Sequence, residues 1–183
     1  MCRFLTGASR LQQTKKKRVW KLLDNEVFKA NDGTIYIAPR TFQSDNFTIP
    51  LFLAWLTGSP VDFDTRCSHI HDVFCSTHYA LVIKLSEEEL KDKGYLRYSE
   101  KNKMWICEDI PPEFISKKKI GKFKANNIFY ECMEVSGVPK FYRVLYRIGV
   151  ALNLNWFISV LFKKVVNPDL NKIYTDSYWD SLL

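Results

Sequence analysis

Apolar positions along this chain follow two periods, strand-like in the N-terminal part and mostly helical later. Val19 to Leu23 reads as a short strand. Val27-Phe28 and Thr34 to Ile37 flank Asn31-Asp32-Gly33, and an Asp-Gly pair tolerates the positive φ of a tight hairpin turn. Pro39 ends that strand, and a polar loop runs from Arg40 to Pro50. Pro50 suits the first turn of a helix. The apolar run Leu51 to Leu56 comes next, and Gly58-Ser59-Pro60 stops it.

The next helix is predicted from about Thr65 to Tyr79, capped by Asp62 or Asp64. On it Cys67, Ile70 or His71, Phe74, Cys75 and His78 fall at three- and four-residue spacing and share one face. His71 and His78 are therefore expected to point inward, with His69 on a different face. Ser86-Glu87-Glu88-Glu89 is a capping box for a short polar helix that ends at Gly94. Tyr95 to Tyr98 and Met104 to Cys107 read as a second hairpin. Pro111-Pro112 and the lysine run after them read as an exposed connection. Phe123 to Val135 is helical and stops at Gly137-Val138-Pro139. Phe141 to Val166 is a long apolar helix with polar interruptions.

These elements predict an α+β domain, with N-terminal β-hairpins packed beside a mainly helical half that carries a His-Asp helix. Residues 1–18 read as a basic arm, 19–166 as one globular domain with an insertion at about 86–119, and 167–183 as a tail. Tyr174, Tyr178 and Trp179 in that tail are expected to pack on the body or on a partner.

Composition adds bounds. The chain has 183 residues, 46% hydrophobic and 15% aromatic, which suits a packed domain and excludes a disordered one. Five cysteines show no disulfide framework and are expected to be reduced, buried thiols. Met1 to Leu11 has no apolar core of the signal-peptide kind. The uncharged stretch Ile148 to Phe162 is fifteen residues, short of the roughly twenty a bilayer span needs. A buried core helix is the default for it. A helix lying on a membrane is the alternative, encouraged by Trp156 and Lys163-Lys164. Neither a signal peptide nor a transmembrane span is expected from these features.

The net charge is +7, with Lys15-Lys16-Lys17-Arg18 and Lys117-Lys118-Lys119 as clusters. Nucleic acid is a conceivable partner, but no zinc-finger spacing, helix-turn-helix or RNA-binding aromatic motif accompanies the charge. An anionic membrane surface or an acidic protein fits it equally.

The chemistry concentrates in Cys67-Ser68-His69-Ile70-His71-Asp72-Val73-Phe74-Cys75-Ser76-Thr77-His78, which holds all three histidines. Upstream stands Phe42-x-Ser44-Asp45-x-x-Thr48-x-Pro50, and downstream Ala125-Asn126-Asn127-Ile128-Phe129. In this order the three pieces resemble the domain of unknown function 1353 family, common in phages and prophages. That family's pattern runs Gly-Phe-x-Thr-Asp-x-x-Ser-x-Pro, His-Asp-x-Leu-Tyr, then Ala-Asp-x-x-Phe. The resemblance covers about residues 35–165 and implies a phage-encoded protein without supplying an activity. Cys75 stands where the family has Tyr, Asn126 where it has Asp, and Thr41 where it has Gly.

A His-Asp helix is also similar to that of secreted phospholipases of the A-two type, in which His activates water, the adjacent Asp binds calcium, and Tyr and a distant Asp orient the His. Here the glycine-rich calcium loop is absent, and Cys75 and neutral Asn126 replace the orienting pair. The catalytic candidates are His71, Asp72, Asp45 and Asn126. A zinc or calcium site would draw on His71, Asp72, Asp45, His78 and Cys75, although four ligands strung along one helix cannot all reach one ion. The bland alternative, with no cofactor, is a buried polar network. In it Ser44, Asp45, Thr48 and Asn126 meet His71-Asp72 and pin the loop onto two helices.

The expected function is a non-enzymatic virion (tail or neck) or accessory component acting through protein contacts of its basic arm and aromatic tail. The alternative is a small His-Asp or metal-dependent hydrolase of a lipid, cell-wall or phosphoester substrate. A third is an inhibitor of a host nucleic-acid defence.

Overall fold

A computed structural model of the chain describes residues 1–15, 19–44, 65–77 and 79–151. In chain order its strands are β1 (Arg3–Phe4), β2 (Leu11–Gln13), β3 (Trp20–Leu22), β4 (Glu26–Lys29), β5 (Ile35–Ala38), β6 (Gln43–Ser44), β7 (Tyr79–Ile83), β8 (Leu96–Ser99), β9 (Met104–Cys107) and β10 (Ile115–Lys119). Its helices are α1 (Arg66–Thr77), α2 (Glu87–Asp92), α3 (Lys122–Val135) and α4 (Lys140–Ala151). The α+β class holds.

The central sheet runs β1-β4-β5-β7-β10, antiparallel throughout. Every residue of β5 is buried, so both faces of the sheet are covered there. The β4–β5 hairpin turns at Gly33, whose φ of 83° is in the region that favours glycine, and Gly33 N–H donates to the Ala30 carbonyl. A smaller sheet orders β2-β3-β6, and β8 and β9 form a separate hairpin. Buried Asn25 fastens that hairpin to the main sheet. Its Nδ2 donates to the Glu108 carbonyl at 2.9 Å, while its Oδ1 accepts from the Arg40 backbone at 2.7 Å.

Helix α1 lies between the sheet and α3. Phe74 meets Tyr36 of β5 edge-on at 5.4 Å, and His71 meets Phe129 of α3 at 4.5 Å. Helix α4 packs back along α3 after the turn at Gly137, which has φ 74°. The capping box of α2 is present in full: Glu89 N–H donates to Ser86 Oγ, and Ser86 N–H donates to the Glu89 carboxylate.

Three parts differ from the pattern-based reading. Residues 1–15 are strand-bearing: β1 completes one edge of the main sheet and β2 pairs with β3. Their positions are mostly exposed or half-exposed, which hides the period. Tyr79 is the first residue of the strand β7, Tyr79–Ile83, and not the last residue of a helix. The strand is buried at four of five positions, and a strand covered on both faces loses its alternation. The lysine run is the edge strand β10 and not a connection. Charged residues at a sheet edge block further pairing. The segment read as an insertion therefore supplies a strand of the central sheet. The predicted helix at Leu51–Leu56, the continuation past residue 151 and the tail 167–183 lie outside the described residues.

Candidate functional site

The twelve-residue α1 presents two polar constellations to two different neighbours. The first faces α3. His71 packs on Phe129, and burial lowers its imidazole pKa to about 4, opposed more weakly by hydrogen bonding to Asn126. Asn126 is itself buried, and among the described residues its Oδ1 has no hydrogen-bond partner of good geometry. Cys75 is exposed as a residue, but its Sγ turns back to 3.3 Å from His71 Nε2. Burial first, and the Asp72 carboxylate second, push this thiol up to about 12. At ordinary pH the pair is therefore neutral thiol beside neutral imidazole. A thiolate–imidazolium pair needs the opposite order of pKa values.

Asp72 turns the other way and accepts a hydrogen bond from Ser44 Oγ at 2.5 Å. Ser44 is buried in β6, so this bond ties the small sheet to α1. The structure thus brings His71, Cys75 and Asn126 together on one side and Asp72 and Ser44 on the other. Asp45, Thr48 and His78 lie outside the described residues. Among the described residues no three His, Cys, Asp or Glu side chains converge as metal ligands. His71 and Cys75 could supply two ligands to a soft ion such as zinc.

The second constellation belongs to His69. It is wholly buried, with Nδ1 at 2.9 and 3.1 Å from the two carboxylate oxygens of Glu26, itself 2% exposed. Ser9 Oγ donates to the same carboxylate. Arg66, one turn away, donates to the Thr6 and Gly7 carbonyls at 2.6 and 2.9 Å and stacks over Phe4. The N-terminal segment, β4 and α1 are locked together here. His69, expected on a different face from His71, is the fully buried histidine, and His71 is half-buried against α3. One helix packed on a sheet and on a second helix has two inward faces, and a single stripe cannot mark both. A Glu opening an apolar strand was the only sequence signal for this pair.

In geometry Ser9–Glu26–His69 is a fastening and not a nucleophile–base array. Glu26 stands between the hydroxyl and the ring, so the imidazole does not face the Ser9 proton. A second buried carboxylate, Glu87 of α2, is held by Arg3 at 2.5 Å, Lys91 at 2.8 Å and Lys29 at 3.4 Å. The Lys91 hydrogen bond leads in lowering its pKa, and burial opposes it.

A family model described as a protein of unknown function, DUF1353, matches residues 20–150. The chain belongs to the DUF1353 family. The match runs from β3 into α4 and takes in both constellations except Ser9 and the other N-terminal residues. No curated protein and no solved structure matches the chain. Among the described residues no helix is long and apolar enough to cross a membrane.

Proposed function

We propose that this DUF1353 protein is a phage-encoded, non-enzymatic virion (tail or neck) or accessory component that works through protein contacts. In this reading the His-Asp motif serves as an internal fastening. The observation that carries it is the neutral, packed His71. Its ring is stacked on Phe129 and its pKa is held near 4, while the adjacent Asp72 is engaged by Ser44. A general base works best with a pKa near the operating pH and a partner that stabilises its charged form. A neutral amide, Asn126, gives only weak support of that kind. Phage origin rests on the resemblance to a family common in phages and prophages.

Purified particles test the reading. Mass spectrometry of phage grown with the native gene should find the chain at a fixed ratio to the major capsid protein if it is a virion part. An accessory role predicts its presence only in infected cells. Lipid, cell-wall or phosphoester turnover by the pure chain, lost in His71→Ala with folding intact, would overturn the non-enzymatic reading in both forms.

One observation favours a hydrolase of another kind, with Cys75 in place of the His-Asp pair or a metal. Cys75, His71 and Asn126 together form a thiol–imidazole–amide grouping, with sulfur 3.3 Å from the ring nitrogen. Turnover lost on Cys75→Ser as well as on His71→Ala would select it.

A further inference from the structure

We propose that the outward face of α4 is a docking surface for an anionic lipid bilayer. Phe141, Val144 and Ile148 are 68%, 41% and 49% exposed. Their spacings of three and four residues put them on one side of the helix. The side carrying Tyr142 and Tyr146 packs against the core, and Leu145 between it and the stripe is partly buried. The apolar stripe is thus surplus to folding.

Its electrical surroundings select the occupant. Helix α4 carries Lys140, Arg143 and Arg147 and no Asp or Glu. A second copy of the chain would bring cationic helix against cationic helix. Arg143 is already paired with Glu134 of α3 at 2.7 Å, and Arg147 donates to Asn127 Oδ1 at 2.8 Å. Lys140 and Arg147 remain exposed beside the stripe. Phe123, 74% exposed, lies one helical turn before Asn127, the residue of α3 that Arg147 contacts. The exposed Lys118, Lys119 and Lys122 precede it. Aromatic and aliphatic side chains flanked by cations suit insertion among acyl chains with ammonium and guanidinium groups left at the phosphates.

The sequence beyond the described residues carries the same character: from Leu152 to Phe162 it has no charge and includes Trp156, then turns basic at Lys163-Lys164. Such a composition favours a bilayer over an acidic amphipathic protein segment, which would need only the short stripe.

The test is flotation of the full chain with vesicles of phosphatidylcholine alone or mixed with phosphatidylglycerol. The wild type should float with the anionic vesicles and much less with the neutral ones. Phe141→Ser/Ile148→Ser leaves the charge unchanged and should weaken binding about tenfold. Lys140→Gln should weaken it about fivefold at low salt. A photoreactive anionic lipid should crosslink the wild type within residues 141–148, a readout that does not depend on how the double variant folds. The proposal is overturned by a wild type that stays with the lipid-free fraction. It is equally overturned by a folded double variant that floats as well as wild type, which would assign binding to the lysines alone. Crosslinks found only elsewhere, or a double variant whose one change is a smaller solution mass, would reassign the face to a protein contact.

Discussion

Replacing His69 by Ala should strongly destabilise the fold. Both members of the pair are dry, His69 at 0% and Glu26 at 2% exposure, and the imidazole nitrogen lies within 3.1 Å of both carboxylate oxygens. Removing the ring leaves the Glu26 carboxylate in the interior with the Ser9 hydroxyl still donating to it but no cationic or imidazole partner from α1. Breaking a buried pair from one side costs about 3–5 kcal/mol, against a total domain stability of about 5–15 kcal/mol. Glu26→Gln keeps an acceptor for the ring and should cost only about 1–2 kcal/mol. Because the loss in His69→Ala arises from a stranded charge, Glu26→Gln placed on top of it should recover part of that loss. The double variant should then be less destabilised than the sum of the singles by at least about 1.5 kcal/mol. Urea unfolding followed by tryptophan fluorescence measures all three, provided the slope with urea is unchanged. A His69→Ala cost below about 1 kcal/mol, or strict additivity with Glu26→Gln, would refute the pairing.

Three further predictions concern His71, the Ser44–Asp72 bond and Cys75. The His71 pKa is about 4 in the folded chain and 6.5 in the unfolded one, so between these values the unfolded state takes up a proton that the folded state does not. Stability from this group is therefore complete above about pH 6.5 and falls by up to about 3 kcal/mol towards pH 4. His71→Gln should flatten that part of the urea-midpoint profile, and an unchanged slope would contradict the assignment. Ser44→Ala should cost about 1–3 kcal/mol by removing the hydroxyl donor to Asp72, and unfolding indistinguishable from wild type would deny that this bond ties β6 to α1. With its thiol at about 12, Cys75 should alkylate at neutral pH at least about thirtyfold more slowly than free cysteine, a scarce thiolate outweighing its greater intrinsic nucleophilicity. Mass spectrometry of iodoacetamide-treated chain reads this, and labelling at the free-cysteine rate would mean the sulfur is not turned against the ring.

Much of the local structure was legible because it depends on neighbours in sequence. Asp32-Gly33 specifies its turn through the φ that glycine accepts, and Ser86 with Glu89 specifies a helix start through two reciprocal hydrogen bonds. That the segment crowded with histidines forms a helix was legible too. The meeting of His71 with Asn126 agrees with the order of the motifs. The split of the site was not legible. Asp72 answers to Ser44, His71 to α3, and His69 to a strand 43 residues away.

By itself, then, the sequence determined the α+β class, the hairpin and helix signals, the family, and the segment where polar chemistry is buried. Tertiary structure alone decided which histidine is interior, that β7 and β10 complete the central sheet, and that β1 forms its far edge. The physical reason is that periodicity reports one apolar face per element. A helix pressed between a sheet and another helix has two, a central strand is covered on both sides, and an edge strand needs only half its surface apolar. Which side of α1 meets Glu26 and which meets Phe129 depends on contacts between residues far apart in the chain, and no local pattern encodes them.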